Sequence, residues 1–313
     1  MNKLFSNLIL IAILFSSYGC NKKRKTDRND LNLSDNVKSV REYSYRVVEK
    51  FGEIEKVIRE RRVPWDNDFY ATFNIEGNKI KEIDYPNIAA ETKIIFKYDN
   101  REKLIEKSTY LNENGALLSN SIYKYNDKQQ RIEENKYDSD GLLESKIIFN
   151  HNEKGEVIEE KISYEVRPRT IINYNEEGEI IEKKVVMKKA WEDTHFTYKY
   201  DDKGNKIERN YYKADTLLEI ETFQFNKFGK QIESKSFKPD ERLESHWTYR
   251  YDDSNNIIER NCHLDETSGL KSYHCNIYSY QYEYNEHGDW IKQVELINNK
   301  PKYVLERIIE YFE

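Results

Sequence analysis

The phrase Tyr198-Lys-Tyr-Asp-Asp-Lys-Gly204 decides the fold, because versions of its aromatic-x-aromatic-Asx core recur along the chain. The other copies start at Phe96, Tyr123, Phe149, Ile172, Phe223, Tyr249 and Tyr282. Successive copies lie mostly about 23 to 27 residues apart, a spacing that is typical of repeat architectures. We therefore expect one structural unit to be repeated through most of the chain.

Glycine placement indicates what each copy does. Among the ten glycines that follow Gly19, eight have Asn or Asp three residues earlier. An Asx side chain at the first turn position bonds to the backbone ahead, and Gly at the fourth position adopts positive φ without steric cost. This pattern predicts three-residue hairpin loops closed by a bulge. The assigned turns include Asp138 with Gly141, Asn175 with Gly178, Asp201 with Gly204, Asn226 with Gly229, and Asn285 with Gly288.

The residues around each turn predict antiparallel strands. Aromatic residues two positions apart, such as Tyr123 and Tyr125, point to one face of a strand, and Lys and Glu alternate on the other. A second, weaker hairpin signal starts at Tyr110 and at Tyr137, so each period supplies two hairpins. The predicted fold is all-β: an array of roughly twenty short strands forming a curved or spiral sheet, mostly a single layer. Over Val37–Arg61 a helix is the alternative to strands.

Composition agrees with a thin sheet rather than a thick globular core. Apolar residues make up 37% of the chain and charged residues 35%, and the mean hydropathy is -0.95, yet 25 Tyr and 13 Phe supply large surfaces to bury. The net charge of -6 becomes -7 when residues 1–19, which carry only the charge of Lys3, are removed. Basic and acidic residues alternate without a basic patch, which argues against a nucleic-acid partner.

The amino terminus predicts export. Met1–Lys3 is a short basic start, Leu4–Phe15 an apolar run, and Ser17–Cys20 a small-residue cleavage region. The segment resembles a bacterial lipoprotein signal, which implies removal of residues 1–19, lipidation of Cys20 and a membrane-attached protein of the cell envelope, in the outer membrane rather than the inner. An ordinary secretory signal is the alternative. Residues 20–30 are then a flexible tether, and residues 31–313 a single repeat domain.

The recurring phrase resembles the YD repeat of the RHS family. The best matches are Tyr198–Gly204 and Tyr282–Gly288, and the resemblance covers roughly residues 70–295. It implies repeats that spiral into a curved β-sheet shell, and some members of that family are linked to carbohydrate binding. The chain lacks the Asp-Pro-x-Gly core motif and a toxin-like carboxy-terminal extension, which argues against a self-cleaving toxin carrier.

Two cysteines lie symmetrically about the segment Asp265–Gly269, and two histidines, His263 and His274, share the same centre. A hairpin centred there would place Cys262 opposite Cys275, so we predict a cross-strand disulfide between them. Free thiols are one alternative, and a metal site is another. The acidic turns lack the spacing of calcium loops, and turn formation explains them better. We expect no metal and no cofactor.

The sequence predicts a non-enzymatic binding or scaffold protein of the cell envelope, with a glycan or a protein as the partner. A Tyr-rich sheet offers rings on which sugars can stack. The candidate ligand contacts are Trp191, Trp247 and Trp290. One alternative is a neutralising or assembly partner of another secreted protein. Another is a hydrolase whose site lies in an irregular loop such as Ala190–His195.

Overall fold

The computed structural model describes residues 26–50, 53–57, 68–86, 89–164, 168–174, 180–187, 194–263 and 275–313. These residues form one short helix, α1 (Asp27–Asp30), and 21 strands. No helix among these residues is long and apolar enough to cross a bilayer. The strands are β1 (Val37–Lys50), β2 (Glu53–Val57), β3 (Asp68–Phe73), β4 (Lys79–Tyr85), β5 (Thr92–Tyr98), β6 (Leu104–Leu111), β7 (Leu117–Tyr125), β8 (Arg131–Asp138), β9 (Leu143–His151), β10 (Val157–Tyr164), β11 (Pro168–Tyr174), β12 (Ile180–Met187), β13 (Thr194–Tyr200), β14 (Lys206–Lys213), β15 (Thr216–Phe225), β16 (Gln231–Phe237), β17 (Leu243–Tyr251), β18 (Ile257–Cys262), β19 (Ile277–Tyr284), β20 (Trp290–Ile297) and β21 (Lys300–Tyr311).

The sheet closes on itself. Each strand pairs antiparallel with the next in the series β3 to β10, β10 pairs with β13, and the series continues to β21. Strand β1 pairs with β3 on one side and with β21 on the other, in a register that runs from Val37 opposite Tyr311 to Arg46 opposite Tyr303. Within the described residues, eighteen strands therefore form a closed antiparallel barrel. Strand β2 extends β1 as a hairpin, and β11 and β12 form a separate two-stranded sheet.

Closure corrects two predictions. The all-β class is as predicted, but the curved or spiral, mostly single-layer array is wrong, because the first strand pairs with the last and closes the sheet into a barrel. The resemblance to the YD repeat of the RHS family is wrong as a guide to architecture for the same reason. The repeated phrase specifies a hairpin and does not specify how successive hairpins curve.

Bulges next to the turns give the sheet its curvature. The register shifts by one in the eight hairpins β3–β4, β5–β6, β7–β8, β9–β10, β13–β14, β15–β16, β17–β18 and β19–β20, because the second residue of the returning strand has no partner. A bulge increases the local twist and bends the strand. In these eight hairpins the unpaired residue is always isoleucine: Ile80, Ile105, Ile132, Ile158, Ile207, Ile232, Ile258 and Ile291.

Tyrosine hydroxyls join successive hairpins. The hydroxyl of Tyr125 donates to the carbonyl of Leu104, the residue with which the preceding hairpin's returning strand begins, at 2.8 Å. Equivalent bonds of 2.7 to 2.9 Å join Tyr98 to Lys79, Tyr200 to Val157 and Tyr251 to Gln231. In the last phrase the first tyrosine, Tyr282, donates instead, to the carbonyl of Ile257 at 2.8 Å. Each bond satisfies a carbonyl beside a bulge, so the tyrosines fix how one hairpin sits on the next.

The amino-terminal segment, residues 26–36, covers the junction between the first and last strands. Arg28 is buried, and it donates to the carbonyls of Asp35, Val37, Asn74 and Ile75. Residues 26–30, part of the predicted tether, are thus held against the barrel. Beneath this segment lies the main apolar cluster of the described residues, formed by Leu33, Val37, Val40, Ala71 and Phe73.

A buried ion pair ties the same junction together. Nε of Arg307 on β21 donates to Oε2 of Glu42 on β1 at 2.9 Å, and Nη1 donates to the carbonyl of Leu31. The Arg307 guanidinium also lies 3.4 Å from the centre of the Trp290 ring. Because removing one partner would leave a buried charge unpaired, this pair favours the closed register over alternatives.

Candidate ligand-binding grooves

One end of the barrel carries most of the Asx turns. Since consecutive strands run in opposite directions, alternate turns lie at the same end, which we call the Asx rim. The described turns of this rim are Asn74–Asn78, Asp99–Lys103, Asn126–Gln130, Asn152–Glu156, Asp201–Asn205, Asn226–Lys230, Asp252–Asn256 and Asn285–Asp289. In each of them the backbone N–H of the fourth residue donates to the carbonyl of the first, so the rim is a ring of well-defined loops.

The Phe228 groove lies between two of these turns. It encloses about 470 Å³ between the loop that joins β15 to β16 and the end of β17. Phe228 is 73% exposed at the tip of its turn, the highest value among the exposed large apolar residues of the described chain. The lining residues are Asn226, Phe228, Ile232, Tyr249, Arg250, Tyr251, Asp252, Asp253 and Asn255.

Hydrogen bonds hold the polar lining of this groove in place. The hydroxyl of Tyr251 donates to the carbonyl of Gln231 at 2.7 Å, and burial raises the pKa of this tyrosine. Oδ1 of Asp252 accepts the backbone N–H of Asn256 at 2.8 Å, and the hydroxyl of Tyr284 donates to Oδ2. Asp253 is exposed at the groove mouth. The groove thus combines an exposed aromatic ring with fixed hydrogen-bonding groups, the usual composition of a small-ligand site.

A second groove of the same construction lies between the turn Asn126–Gln130 and the end of β9. This Phe149 groove encloses about 540 Å³. Burial, followed by the charge of Arg131, lowers the pKa of His151 in its wall. The lining residues are Asn126, Asp127, Lys128, Gln130, Ile132, Phe149, Asn150, His151, Asn152 and Glu153.

Both faces of the sheet carry charges next to the Asx rim. On one face, ion pairs cross the hairpins, as between Lys124 and Glu133 at 2.6 Å and between Lys199 and Glu208 at 2.8 Å. Hydrogen bonds from Lys124 and Lys146 lower the pKa of Glu133 to about 2. On the other face, the first aromatic of a phrase commonly pairs with a charged residue, as in Phe96 with Lys107, Tyr123 with Glu134, Phe149 with Glu160, Tyr198 with Arg209 and Tyr249 with Arg260.

The structure places two of the three candidate tryptophans away from the grooves. Trp290 is 6% exposed and packs between Tyr282 and Arg307. Trp247 is half-buried against Tyr278, with Arg260 over its ring. Neither residue lines the Phe228 groove or the Phe149 groove. Trp191 and Cys20 lie outside the described residues, as do Asn175 and Gly178.

Cys262 and Cys275 form a disulfide whose Cα atoms are 5.0 Å apart. The ladder places Asn261 opposite Ile277, so the register differs by one residue from the symmetric hairpin that places the two cysteines directly opposite. The ring of His263 packs at a tilt against that of His246, with ring centres 4.5 Å apart, and His246 forms a hydrogen bond with Glu233. Among the described residues no three His, Cys, Asp or Glu side chains converge to hold a metal ion.

Comparison with known proteins gives weak structural matches. A porin-like protein from Bacteroides uniformis is 10% identical, covers 88% of this chain and 98% of its own, and has a TM-score of 0.41. A porin-like protein from Bacteroides vulgatus is 13% identical, covers 71% of this chain and 93% of its own, and scores 0.37. The Photorhabdus luminescens Tc holotoxin pore is 10% identical, covers 78% of this chain and 20% of its own, and scores 0.19.

No protein-family profile matches the chain, and no curated protein matches it. TM-scores as low as those of the structural matches carry no argument about function. The barrel therefore rests on the chain's own strand pairing, above all that of β1 with β21.

The grooves were not predicted from the sequence, although the residue types in the Asx turns contain an indication of one of them. The third residue of an Asx turn is basic in several copies, as at Arg101, Lys128 and Lys203. Phe228 departs from that pattern by placing a large apolar ring at a loop tip, where polar residues dominate. An exposed aromatic in a turn is a stronger indicator of a binding surface than a tryptophan inside a strand.

Proposed function

We propose that this protein is a non-enzymatic binding barrel of the cell envelope, which holds a glycan at its Asx rim. The observation that carries the proposal is the Phe228 groove, where an exposed ring stands beside carboxylate and amide groups. Sugar rings present an apolar face that packs on aromatic rings, and their hydroxyls donate to carboxylates and amides. The two grooves offer shallow, open sites, which suit part of an extended ligand.

The charges on both faces favour a barrel outside the hydrocarbon layer. A lipid-facing barrel surface needs an apolar band about 25 Å tall, and each Lys or Arg at its midplane costs roughly 2–4 kcal/mol. Here ion pairs such as Lys124 with Glu133 cross one face, and charged residues such as Glu134 and Arg209 lie opposite aromatics on the other. We propose that acylated Cys20, rather than the strands, attaches the protein to the membrane.

Removal of the acylation site tests this attachment. A Cys20→Ser variant, exported with an ordinary secretory signal, is expected to leave the membrane pellet and appear in the soluble envelope fraction. The unmodified protein is expected to stay in the pellet after alkaline carbonate washing and to partition into detergent. Retention of the Cys20→Ser barrel in carbonate-washed membranes would contradict the tethered arrangement, because a spanning barrel needs no lipid anchor.

Loss of the exposed ring tests the binding function. A Phe228→Ala variant is expected to lose most of its signal, about tenfold or more, on an array of bacterial and plant oligosaccharides, because stacking supplies much of the contact area. Leu142→Ala is the matched control, since Leu142 is also an exposed apolar residue of a turn and lies at the opposite end of the barrel. If both variants bind every glycan as well as the unmodified protein does, the proposal fails.

A further inference from the structure

We propose that the Phe149 groove is a second subsite for the same polymeric glycan, so that one ligand chain spans both grooves along the Asx rim. The inference rests on the proposed function and names the class of ligand as a linear oligosaccharide long enough to reach both sites. It follows from how the two grooves are built and from the distance between them.

The two grooves occupy equivalent positions in the repeat. Asn126 and Asn226 start the turns that form one wall, and Ile132 and Ile232 are the bulge residues behind those turns. Phe149 and Tyr249 start the opposite walls, and each pair of residues is 100 positions apart in the chain. The bordering strands also correspond: β8 and β9 border the Phe149 groove, and β16 and β17 border the Phe228 groove. The same backbone geometry therefore presents a cleft of the same kind twice.

The side chains at the mouths differ in a way that separates the roles of the two sites. Lys128 stands where the Phe228 groove has its exposed ring, and His151 stands where it has Tyr251. Glu153 occupies the position of Asp253. The Phe228 groove thus binds by stacking and hydrogen bonds, whereas the Phe149 groove binds hydroxyls through Lys128, Glu153 and the amides of its wall. The first site carries most of the affinity, and the second adds to it only when the ligand reaches both.

The barrel fixes the distance that the ligand must cover. The two grooves are six strands apart in a ring of eighteen, which is one third of the circumference. With neighbouring strands about 4.8 Å apart, the separation along the sheet is roughly 30 Å. A chain of roughly six to eight sugar units covers that span, and binding at the second site is then intramolecular, which raises the overall affinity without a new kind of contact.

Graded oligosaccharides test the inference on the full-length protein. The probes are β-1,4-linked N-acetylglucosamine, α-1,4-linked glucose and β-1,4-linked mannose oligomers of two to ten units, immobilised in one array. In the series that binds, the apparent affinity is expected to rise by about tenfold or more between four and eight units. Affinity that stays constant with length would overturn the second subsite while leaving the Phe228 site intact.

Paired variants separate the two sites. Both Lys128 and Glu153 are exposed, so the variant K128A/E153A retains the fold. It is expected to bind short oligomers with the affinity of the unmodified protein, but to lose the increase in affinity that longer oligomers give. Phe228→Ala is expected to lose binding to oligomers of every length. If K128A/E153A keeps the full gain with length, the inference is wrong, and if no series binds, the inference and the proposed function both fail.

Discussion

The third residue after each Asx is the position of the repeat with the strictest backbone requirement, because it adopts a positive φ. Gly204 adopts φ +80 there, and a Cβ added to it would lie 3.3 Å from Oε1 of Glu156. The same position holds Gln129 at φ +63 and Asn255 at φ +65. An L-residue in this left-handed conformation costs roughly 1–2 kcal/mol, so the copies without glycine store local strain. The Asx-to-glycine spacing was visible in the sequence because it reflects this local requirement.

Replacing Gln129 tests the strain directly. Gln129→Gly is expected to raise the free energy of unfolding by about 0.5–1 kcal/mol, since relief of the left-handed strain exceeds the extra chain entropy of glycine. The measurement is urea-induced unfolding followed by tyrosine fluorescence. Gly204→Ala is the reverse change, and it is expected to lower the free energy of unfolding by about 1–2 kcal/mol. A Gln129→Gly variant less stable than the unmodified protein would show that this turn is not strained.

Hairpins are the elements that sequence reasoning predicts best, because turn, bulge and strand lie within a few residues of each other. The 21 strands of the described residues agree with the predicted number of roughly twenty. Seams between hairpins with long connections are harder to predict. Among the described residues, strand β18 meets β19 through three residue pairs, from Glu259 opposite Ser279 to Asn261 opposite Ile277. The disulfide between Cys262 and Cys275 lies beside this short ladder.

The disulfide is expected to stabilise this seam. Cys262→Ser with Cys275→Ser should lower the free energy of unfolding by about 3 kcal/mol, the typical contribution of a bond that closes a loop of this length. Hydrogen exchange should locate the loss of protection in β18 and β19. Cys20→Ser is the control, because it replaces a cysteine that lies far along the chain from the seam. If the double serine variant and the control have the same free energy of unfolding, the bond has no structural role.

At the scale of the whole molecule, closure is the feature that the sequence did not reveal. It depends on the twist that many bulges add together and on pairing between strands at opposite ends of the chain, such as Val40 opposite Ile309. Residues that later prove decisive, Arg28 and Arg307, look like ordinary surface charges in the sequence. Their partners, the carbonyls of the β3–β4 turn and Glu42, become apparent only when the ends meet.

The grooves were equally beyond sequence reasoning, because each is shared by hairpins that only the closed sheet positions. The turn chemistry of Asn226 and Asp252 could be predicted, but not the cleft between those turns. The choice of tryptophans as ligand contacts followed composition rather than position, and Trp290 lies instead beneath Arg307 at the junction of β20 and β21. Local patterns therefore predicted the parts of the site and not their assembly.

Cross-linking of the first strand to the last tests the closed barrel most directly. Tyr43 lies opposite Glu306 in the β1–β21 ladder, so Tyr43→Cys with Glu306→Cys in a Cys20→Ser background should form a disulfide under mild oxidation. Tyr43→Cys with Glu286→Cys, which places the second thiol on an Asx turn, is the control and should remain reduced. At low protein concentration, an intramolecular bond in the first pair alone is the result that a closed ring predicts. Absence of that bond, or equal cross-linking of both pairs, would contradict closure.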